Sequence, residues 1–352
     1  MTWRQSLLRL LSLVLIGLSV LSCQASVASK QPDIGMTVHS RGADAETIKR
    51  QFDLMAAMHV TWVRVDVGWA WVESERGQFD WAYPDEIVSE AAARGMKVLV
   101  VLANSPAWAG SSAPGQSAIE PYSRPANLSD FASFARIAAQ RYASRGVRSW
   151  EIWNEPNTSQ FWPPSPDANE YGDLFRVIAA AIRRVDPKAT LLIGGLSPKT
   201  DSSGAEIPPA KYLEQLYGNG AAQLADGIAA HPYSYPALPM QKSRQAAGGF
   251  KDLPALHAVM VRHGDGQKKI WITEFGAPTG TDPAAVSEEA QAAAFSQARQ
   301  LVASWAWAGP LIYYELVDGG TDPSDKEQNF GVLHEDLTAK AAALALMRPA
   351  PA

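Results

Sequence analysis

Two glutamates in this chain stand where carboxylate chemistry could take place. Glu155 lies in the stretch W-E-I-W-N-E-P-N, residues 150–157, and Glu274 lies in I-W-I-T-E-F-G-A-P, residues 270–278. Each follows a short apolar run and precedes glycine or proline, which end strands and open loops. Two carboxyl groups that face one sugar can hydrolyse a glycosidic bond, because one donates a proton to the leaving oxygen while the other attacks the anomeric carbon.

Eight short apolar runs could form the strands that position these glutamates. They span residues 34–38, 62–67, 97–103, 149–153, 190–195, 227–231, 269–275 and 310–316. Most are nearly continuously apolar, which is typical of parallel strands buried on both faces. Segments with helical periodicity follow the runs, at about residues 44–58, 84–94, 127–145, 167–185, 208–217, 250–263, 284–307 and 337–347.

This alternation of strand and helix predicts a single-domain (β/α)8 TIM barrel. A doubly wound sheet is the alternative, but no glycine-rich phosphate turn follows the first strand. In a barrel of this kind the catalytic groups lie where the strands end, so Glu155 and Glu274 would share one rim. Three long loops, 104–126, 154–166 and 232–249, could wall a groove above that rim.

The fourth strand also contains Glu151, and alternation does not separate it from Glu155. Side chains at 151, 153 and 155 share one parity along a strand. Position along the strand favours Glu155, since Pro156 ends the ladder directly after it and Glu151 lies deeper. We therefore predict that Glu155 faces the mouth of the barrel and that Glu151 is structural, paired with an arginine under the barrel.

The combination of W-N-E-P-N with T-E-F-G about 120 residues later resembles clan A of the glycoside hydrolases. Within the clan it is most similar to family 39 and to bacterial exopolysaccharide-degrading endoglycosidases, over roughly residues 33–348. The resemblance implies that Glu155 is the general acid/base, that Glu274 is the nucleophile and that Asn154 holds the sugar 2-hydroxyl. It also implies retaining hydrolysis of an equatorial, β-type bond.

Further matches to the clan lie on the second and sixth strands. Arg64, in V-R-V-D, resembles an arginine that keeps the nucleophile ionised, since a neighbouring cation favours a charged carboxylate. His231 and Tyr233, in H-P-Y, resemble a pair near the nucleophile, and the tyrosine hydroxyl could orient Glu274. The alternatives are a purely structural ion pair for Arg64, with Asp66 or another acid, and a core position for His231.

We count Asn154, Arg64, His231 and Tyr233 among the candidate substrate-binding residues. Other candidate substrate contacts follow predicted strands. Asn104, in L-A-N-S-P, could reach a sugar hydroxyl. The clan often has a tryptophan platform after strand eight, and here Tyr314, Glu315 or Asp318 must fill that corner. Aromatic faces stack on sugar C–H groups. The tryptophans that end or follow predicted strands are Trp69, Trp71, Trp108, Trp153 and Trp162, of which we favour Trp108 and Trp162 as substrate-binding residues.

The N-terminal segment predicts export. Arg4 and Arg9 accompany an apolar run at residues 10–21 that is too short for a comfortable membrane span, as in a signal peptide over residues 1–22. V-L-S-C, ending at Cys23, resembles a bacterial lipobox, with ordinary secretion as the alternative. We expect a lipidated tether at residues 23–32, a catalytic barrel at 33–352, and a location in the periplasm or cell envelope.

Composition excludes several other functions. The net charge of −5 gives no support to nucleic-acid binding. The six histidines show no H-E-x-x-H spacing, the single cysteine lies in the leader, and no G-x-S-x-G occurs, so we expect no metal, no cofactor and no serine-esterase chemistry. The favoured function is retaining, endo-acting hydrolysis of a polysaccharide by a monomer. An exo-acting β-glycosidase, a transglycosylase and a non-catalytic polysaccharide-binding lipoprotein remain alternatives.

Overall fold

The computed structural model describes residues 32–111, 122–202, 204–242 and 246–347. The predicted signal peptide, Cys23 and all of the predicted tether except Pro32 lie outside these residues. The described residues all belong to one compact unit. Within the described ranges, each helix is too short or too polar to cross a membrane.

Eight parallel strands close into a barrel in chain order, and β8 pairs with β1. The strands are β1 Ile34–Thr37, β2 Trp62–Asp66, β3 Lys97–Leu102, β4 Ser149–Asn154, β5 Thr190–Leu196, β6 Gly227–Ala230, β7 Lys269–Ile272 and β8 Ala308–Tyr313. The predicted (β/α)8 TIM barrel is therefore confirmed, and the doubly wound sheet is excluded because its sheet would be open.

Helices surround the barrel and alternate with its strands. They are α1 Ala45–Ala57, α2 Trp69–Val72, α3 Ala82–Ala93, α4 Leu128–Ala143, α5 Ala168–Val185, α6 Pro209–Gly218, α7 Ala221–Leu224, α8 Leu253–Arg262, α9 Glu288–Ser304 and α10 Ala341–Met347. Several begin at a side chain that accepts a hydrogen bond from the first turn, such as Asp44 before α1, Asn127 before α4 and Asp167 before α5. These caps satisfy backbone N–H groups that the helix leaves without partners.

The structure differs from the predicted boundaries mainly at β7 and β8. The apolar run of the seventh strand predicts an end at residue 275, but β7 ends at Ile272. Its register against β8 shifts between Ile270 and Ile272, so the regular ladder stops early. The one-turn helices α2 and α7 were not predicted, because four residues are too few to show a helical period.

Apolar side chains from five strands fill the end of the barrel where the strands begin. Trp62 and Trp271 meet there edge to face, with ring centroids 4.9 Å apart. Leu99, Leu192 and Ile312 pack with Trp62 in the same buried cluster. Because this end is closed by large side chains, a cavity can form only at the opposite end, where the strands finish.

Candidate active site

The two predicted catalytic carboxylates meet at the end of the barrel where the strands finish. Glu155 directly follows β4, and Glu274 lies two residues beyond the end of β7. One oxygen of each lies within 4.8 Å of the other, and each residue is 8% exposed. Both line a cavity of about 420 Å³. This separation agrees with the roughly 5–5.5 Å of retaining glycosidases and is below the roughly 6.5–9.5 Å of inverting enzymes.

The backbone after Ile152 departs from a regular strand. Trp153 has φ of 70° and Glu155 has φ of 43°, both in the left-handed region. The expected alternation is therefore wrong at Trp153, which packs on Phe131 while the neighbours Asn154 and Glu155 both line the cavity. A non-glycine residue with positive φ is uncommon and strained, and such residues concentrate at functional sites.

Arg64 connects the nucleophile candidate to the interior of the barrel. Its Nη1 donates to Glu274 Oε1 at 2.6 Å, and its Nη2 donates to Asn154 Oδ1 at 3.0 Å. Its Nε donates to Glu151 Oε2 at 3.0 Å, so Glu151 pairs with an arginine inside the barrel and not beneath it. Arg64 is 1% exposed, so the substrate-binding role predicted for it is corrected to a positioning role.

Glu151 is a completely buried carboxylate at the centre of this network. Besides Arg64, its Oε1 accepts hydrogen bonds from Gly195 N at 2.7 Å and from Thr273 Oγ1 at 3.2 Å. Burial alone would raise the pKa of Glu151, but Arg64 and His231 outweigh that effect and lower it. Glu151 therefore stays ionised and neutralises part of the charge that Arg64 brings into the barrel.

His231 lies beneath both of the predicted catalytic carboxylates. Its Nδ1 is 2.9 Å from Glu155 Oε1 and 3.4 Å from Glu274 Oε2, and its Nε2 is 3.1 Å from Thr273 Oγ1. Burial would lower the pKa of His231, but the nearby carboxylates outweigh it and raise the pKa to about 9. The ring is fully buried and does not line the cavity, so the predicted substrate contact is corrected to a positioning role.

Gly195 on β5 makes the space for this imidazole. A Cβ atom added at Gly195 would lie 1.9 Å from His231 Nε2. Only glycine therefore fits beside the ring in this arrangement.

Tyr233 holds the other oxygen of the nucleophile candidate. Its hydroxyl donates to Glu274 Oε2 at 2.7 Å, the contact expected from the sequence. Burial and the Glu274 charge raise the pKa of Tyr233 well above its usual value, so the phenol keeps its proton. Together with Arg64, this leaves both oxygens of Glu274 held by donors, which fixes the direction of the carboxylate.

The predicted aromatic platforms are largely wrong. Trp162 is 1% exposed and packs between Trp153 and Tyr171, so no substrate can reach it. Trp108 donates to the Glu73 carbonyl and lies outside the cavity lining. Trp71, which we did not favour, lines the cavity and is 40% exposed. All three tryptophans lie after strands in the sequence. Which of their rings faces the cavity depends on the path of each loop, which the sequence does not show.

The other predicted contacts line the cavity. Asn104, with φ of 68°, is one of its lining residues and Tyr314 is another, so the tyrosine occupies the corner after strand eight. Tyr314 packs edge to face against His39, with ring centroids 5.6 Å apart. Asp318 instead binds the buried Lys340 at 2.7 Å and contributes to the core.

Sequence reasoning missed a charged cluster on the wall next to Tyr314. His39 Nδ1 is 2.7 Å from Glu315 Oε2, and His39 Nε2 is 3.2 Å from Asp66 Oδ2. Burial would lower the pKa of His39, but the hydrogen bonds and charges of the two acids raise it to about 10. The available signal was position alone, since His39 and Asp66 both lie at or just after the end of an apolar run.

Glu155, His231 and Glu274 also offer three ligand atoms within 4.8 Å of one another, a spacing that a metal ion could use. Glu155 already accepts from His231, and Glu274 is already bonded to Arg64 and Tyr233. These hydrogen bonds account for the close approach of the three groups, and the absence of a metal and of a cofactor stays a prediction.

The sequence of the chain matches a known protein family over most of its length. Residues 27–309 match the family model described as cellulase, glycosyl hydrolase family 5. A curated β-xylosidase from Geobacillus stearothermophilus is 47% identical over 60 residues, which is 16% of this chain and 11% of that enzyme. The aligned segment thus spans a small part of the curated relative.

Solved structures share the barrel. A family 39 glycoside hydrolase from Bacteroides cellulosilyticus WH2 superposes with a TM-score of 0.71 at 23% identity, covering 91% of this chain and 63% of that one. A monomeric β-xylosidase from Caulobacter crescentus CB15 gives 0.68 at 18% identity, covering 90% and 67%. At these identities the likeness establishes the fold.

Proposed function

This chain belongs to the cellulase family, glycosyl hydrolase family 5, in agreement with the clan A resemblance of its two motifs, and we propose that it hydrolyses β-glycosidic bonds with retention of configuration. The observation that carries this proposal is the approach of Glu155 and Glu274 to within 4.8 Å across one cavity. That spacing leaves room for direct attack by a carboxylate on the sugar, and too little for an intervening water.

Glu274 is the nucleophile in this mechanism and Glu155 is the acid/base. An oxygen of Glu274 bonds to the anomeric carbon while the glycosidic C–O bond breaks and Glu155 transfers its proton to the leaving oxygen. Glu155 then removes a proton from water, whose oxygen displaces Glu274 and releases the sugar. Arg64 and Tyr233 support these roles, since both donate hydrogen bonds to Glu274 and hold its carboxylate in one direction.

The substrate we infer is a polysaccharide cleaved internally. Aromatic side chains flank the catalytic pair on several sides of the cavity, namely Trp71, Tyr122, Phe161, Tyr235 and Phe330. Such rings supply stacking area for more than one sugar. An exo-acting β-xylosidase is the second candidate, favoured by the 60-residue identity to the Geobacillus stearothermophilus enzyme.

The place of action that we propose is the bacterial envelope or the exterior, with a lipid on Cys23 as the anchor and a monomer as the active form. The charged and apolar leader and the V-L-S-C stretch at residues 20–23 support export and lipidation. A polymer outside the cytoplasm is the substrate such an enzyme would meet.

Three measurements on the full chain test the activity. Proton NMR of the first product should show a β-anomer from a β-glycoside, and an α-anomer would contradict retention. Glu274→Ala should lower turnover by several orders of magnitude, because it deletes the nucleophile. Rapid loss of polymer viscosity with few new reducing ends supports internal cleavage, whereas release of monosaccharide alone favours the β-xylosidase candidate.

A further inference from the structure

Arg41, just after β1, is held against the wall of the catalytic cavity by two aromatic rings. Its guanidinium carbon lies 4.8 Å from the ring centre of Trp71 and 4.7 Å from that of Tyr83. Both rings and Arg41 line the cavity. The stack resembles the cation–π arrangements that hold guanidinium groups in a fixed orientation.

The two rings are themselves fixed. The Tyr83 hydroxyl donates to the Val38 carbonyl at 3.2 Å and accepts from Ser40 N at 3.1 Å. Trp71 lies over Gly68, where an added Cβ would approach the indole to 2.2 Å. The sequence therefore provides a rigid support for the Arg41 side chain.

The Arg41 guanidinium forms no ion pair in the part of the chain that the structure describes. No carboxylate oxygen there lies within 4.0 Å of Arg41, so the charge of Asp66 acts on it from farther away, and its direct contacts are the two rings. Arg64, in contrast, pairs with two carboxylates. Because rings contact the faces of the Arg41 group, its N–H donors at the edge are available to a ligand, and that edge matches the two oxygens of a carboxylate or sulfate.

Several carboxylates near Arg41 are paired with cationic groups. Asp66 and Glu315 are both bound by His39, and the charge of Glu274 is compensated by Arg64 at 2.6 Å. Glu327 also lines the cavity. The pairing of Asp66, Glu315 and Glu274 weakens the repulsion that an anion at Arg41 would meet.

The position of Arg41 assigns it to one side of the scissile bond. Glu155, which protonates the leaving sugar, follows β4, three strands away from β1 in the barrel order. Arg41 follows β1, next to the wall that Tyr314 and His39 form. Glu274 follows β7, which is two strands away from β1, so Arg41 is nearer to Glu274 than to Glu155 in the barrel order, and we assign Arg41 to the sugar that becomes bonded to Glu274.

We propose that Arg41 binds an anionic substituent, a uronate carboxylate or a sulfate, on the glycone side of the scissile bond, so that the enzyme acts on acidic polysaccharides. The proposal rests on the glycosidase function proposed above and narrows its substrate class. A carboxylate and a sulfate can each present two oxygens to the two parallel N–H donors of a guanidinium.

Binding to matched pairs of polymers tests this assignment. Calorimetry with the Glu155→Gln protein, which turns over slowly, compares glucuronan and glucuronoxylan oligosaccharides with their carboxyl-reduced forms, and a sulfated β-glucan with its desulfated form. We expect about tenfold tighter binding of the anionic member in at least one pair, and the responding pair identifies the anion. Added salt should reduce this preference.

Variants of two arginines complete the test. Arg41→Gln should abolish the preference for the anionic oligosaccharide. Arg41→Lys should keep only part of it, because an ammonium group lacks the two parallel N–H donors of a guanidinium. Arg76→Gln is the matched control, since Arg76 stacks on Trp108 at 4.3 Å outside the cavity and pairs with Asp130; it should change nothing. Equal binding in every pair, or a preference that survives Arg41→Gln, would overturn the assignment. Loss of turnover in Glu274→Ala on a neutral aryl glycoside tests the glycosidase function separately.

Discussion

His231 Nδ1 lies 2.9 Å from Glu155 Oε1, in a position that solvent does not reach. With the pKa of His231 raised to about 9, the ring is protonated on both nitrogens at neutral pH, so Nδ1–H donates to Oε1. In the proposed mechanism, the proton that Glu155 gives to the leaving group is therefore carried by Oε2, the other oxygen of the carboxyl group.

Glu155→Gln should slow hydrolysis according to the leaving group. For an alkyl or sugar leaving group we expect a loss of about 10²–10⁴ in kcat/KM, because the general acid is absent. The loss in kcat/KM should be much smaller for a dinitrophenyl glycoside, because its leaving group needs no proton. Glu335→Gln, at an exposed carboxylate, serves as the control. Equal losses on the two substrates would contradict the acid role.

Tyr233→Phe should reduce turnover without unfolding the protein. The change removes the 2.7 Å hydrogen bond to Glu274 Oε2 and keeps the ring. Hydrogen bonds to charged groups contribute about 1.5–3 kcal/mol, which corresponds to roughly 10- to 150-fold in rate if the bond acts in the transition state. Steady-state kinetics and thermal unfolding of both proteins measure this. An unchanged kcat would show that the hydroxyl does not assist the reaction.

Arg64→Met should destabilise the fold as well as remove activity. It leaves Glu151, which is fully buried, without its closer cationic partner, since His231 Nε2 is 3.6 Å from Glu151 and Arg64 Nε is 3.0 Å from it. Breaking one side of a buried ion pair costs about 3–5 kcal/mol in the free energy of unfolding. Urea unfolding gives the value, and the double change Arg64→Met with Glu151→Leu should recover part of it. An Arg64→Met protein as stable as the parent would show that the Arg64–Glu151 ion pair does not contribute to the free energy of unfolding.

Trp162 and Trp71 should respond in opposite ways to alanine. Trp162→Ala removes a buried ring and should lower the free energy of unfolding by about 3–5 kcal/mol. Trp71→Ala removes a 40%-exposed ring from the cavity and should chiefly raise KM. Chemical unfolding and polymer kinetics on the same two proteins distinguish these effects. A marked rise in KM for a correctly folded Trp162→Ala protein would restore the sequence prediction.

His39 should make stability depend on pH. Its folded pKa of about 10 lies above the ordinary 6.5, so its contribution is complete below pH 6.5 and is lost as the pH rises toward 10. Burial would raise the pKa of Asp66, but His39, Arg64 and Arg41 outweigh this effect and lower it from 3.8 to about 2. The contribution of Asp66 to stability therefore disappears as the pH falls from about 3.8 to about 2.

The stability difference between the parent and His39→Gln isolates the first effect, because His231 titrates in both proteins. Urea unfolding should show a larger difference at pH 6 than at pH 10. A difference that stays constant between these pH values would mean that Asp66 and Glu315 do not hold His39 in its charged form.

Much of the fold could be predicted because its signal is local. Nearly continuous apolar runs of five to seven residues and helical periods are properties of short segments, and their eightfold alternation predicts the barrel. Glu155 and Glu274 could be predicted as site residues for the same reason, since each lies near the end of an apolar run, one residue before Pro156 and two residues before Gly276. The boundaries of β7 and β8 depend on a register shift between strands, which no single segment encodes.

The rest of the site depends on contacts between distant parts of the chain. Arg64 and His231 were expected near the substrate, but their partners Glu151 and Thr273 hold them below the cavity floor. The cluster of His39, Asp66 and Glu315 joins residues up to 276 positions apart, and sequence spacing gives no sign of it. The positive φ of Trp153 reverses the expected alternation at the most important strand end.

All eight strands run in the same direction, so β1 starts at the end of the barrel that lies farthest from the catalytic cavity. Material joined upstream of Ile34 consequently meets the protein at the closed face plugged by Trp62 and Trp271. Immobilisation on a bead, a resin or a cell surface through that side would leave the substrate opening facing the bulk liquid, where long polymers diffuse.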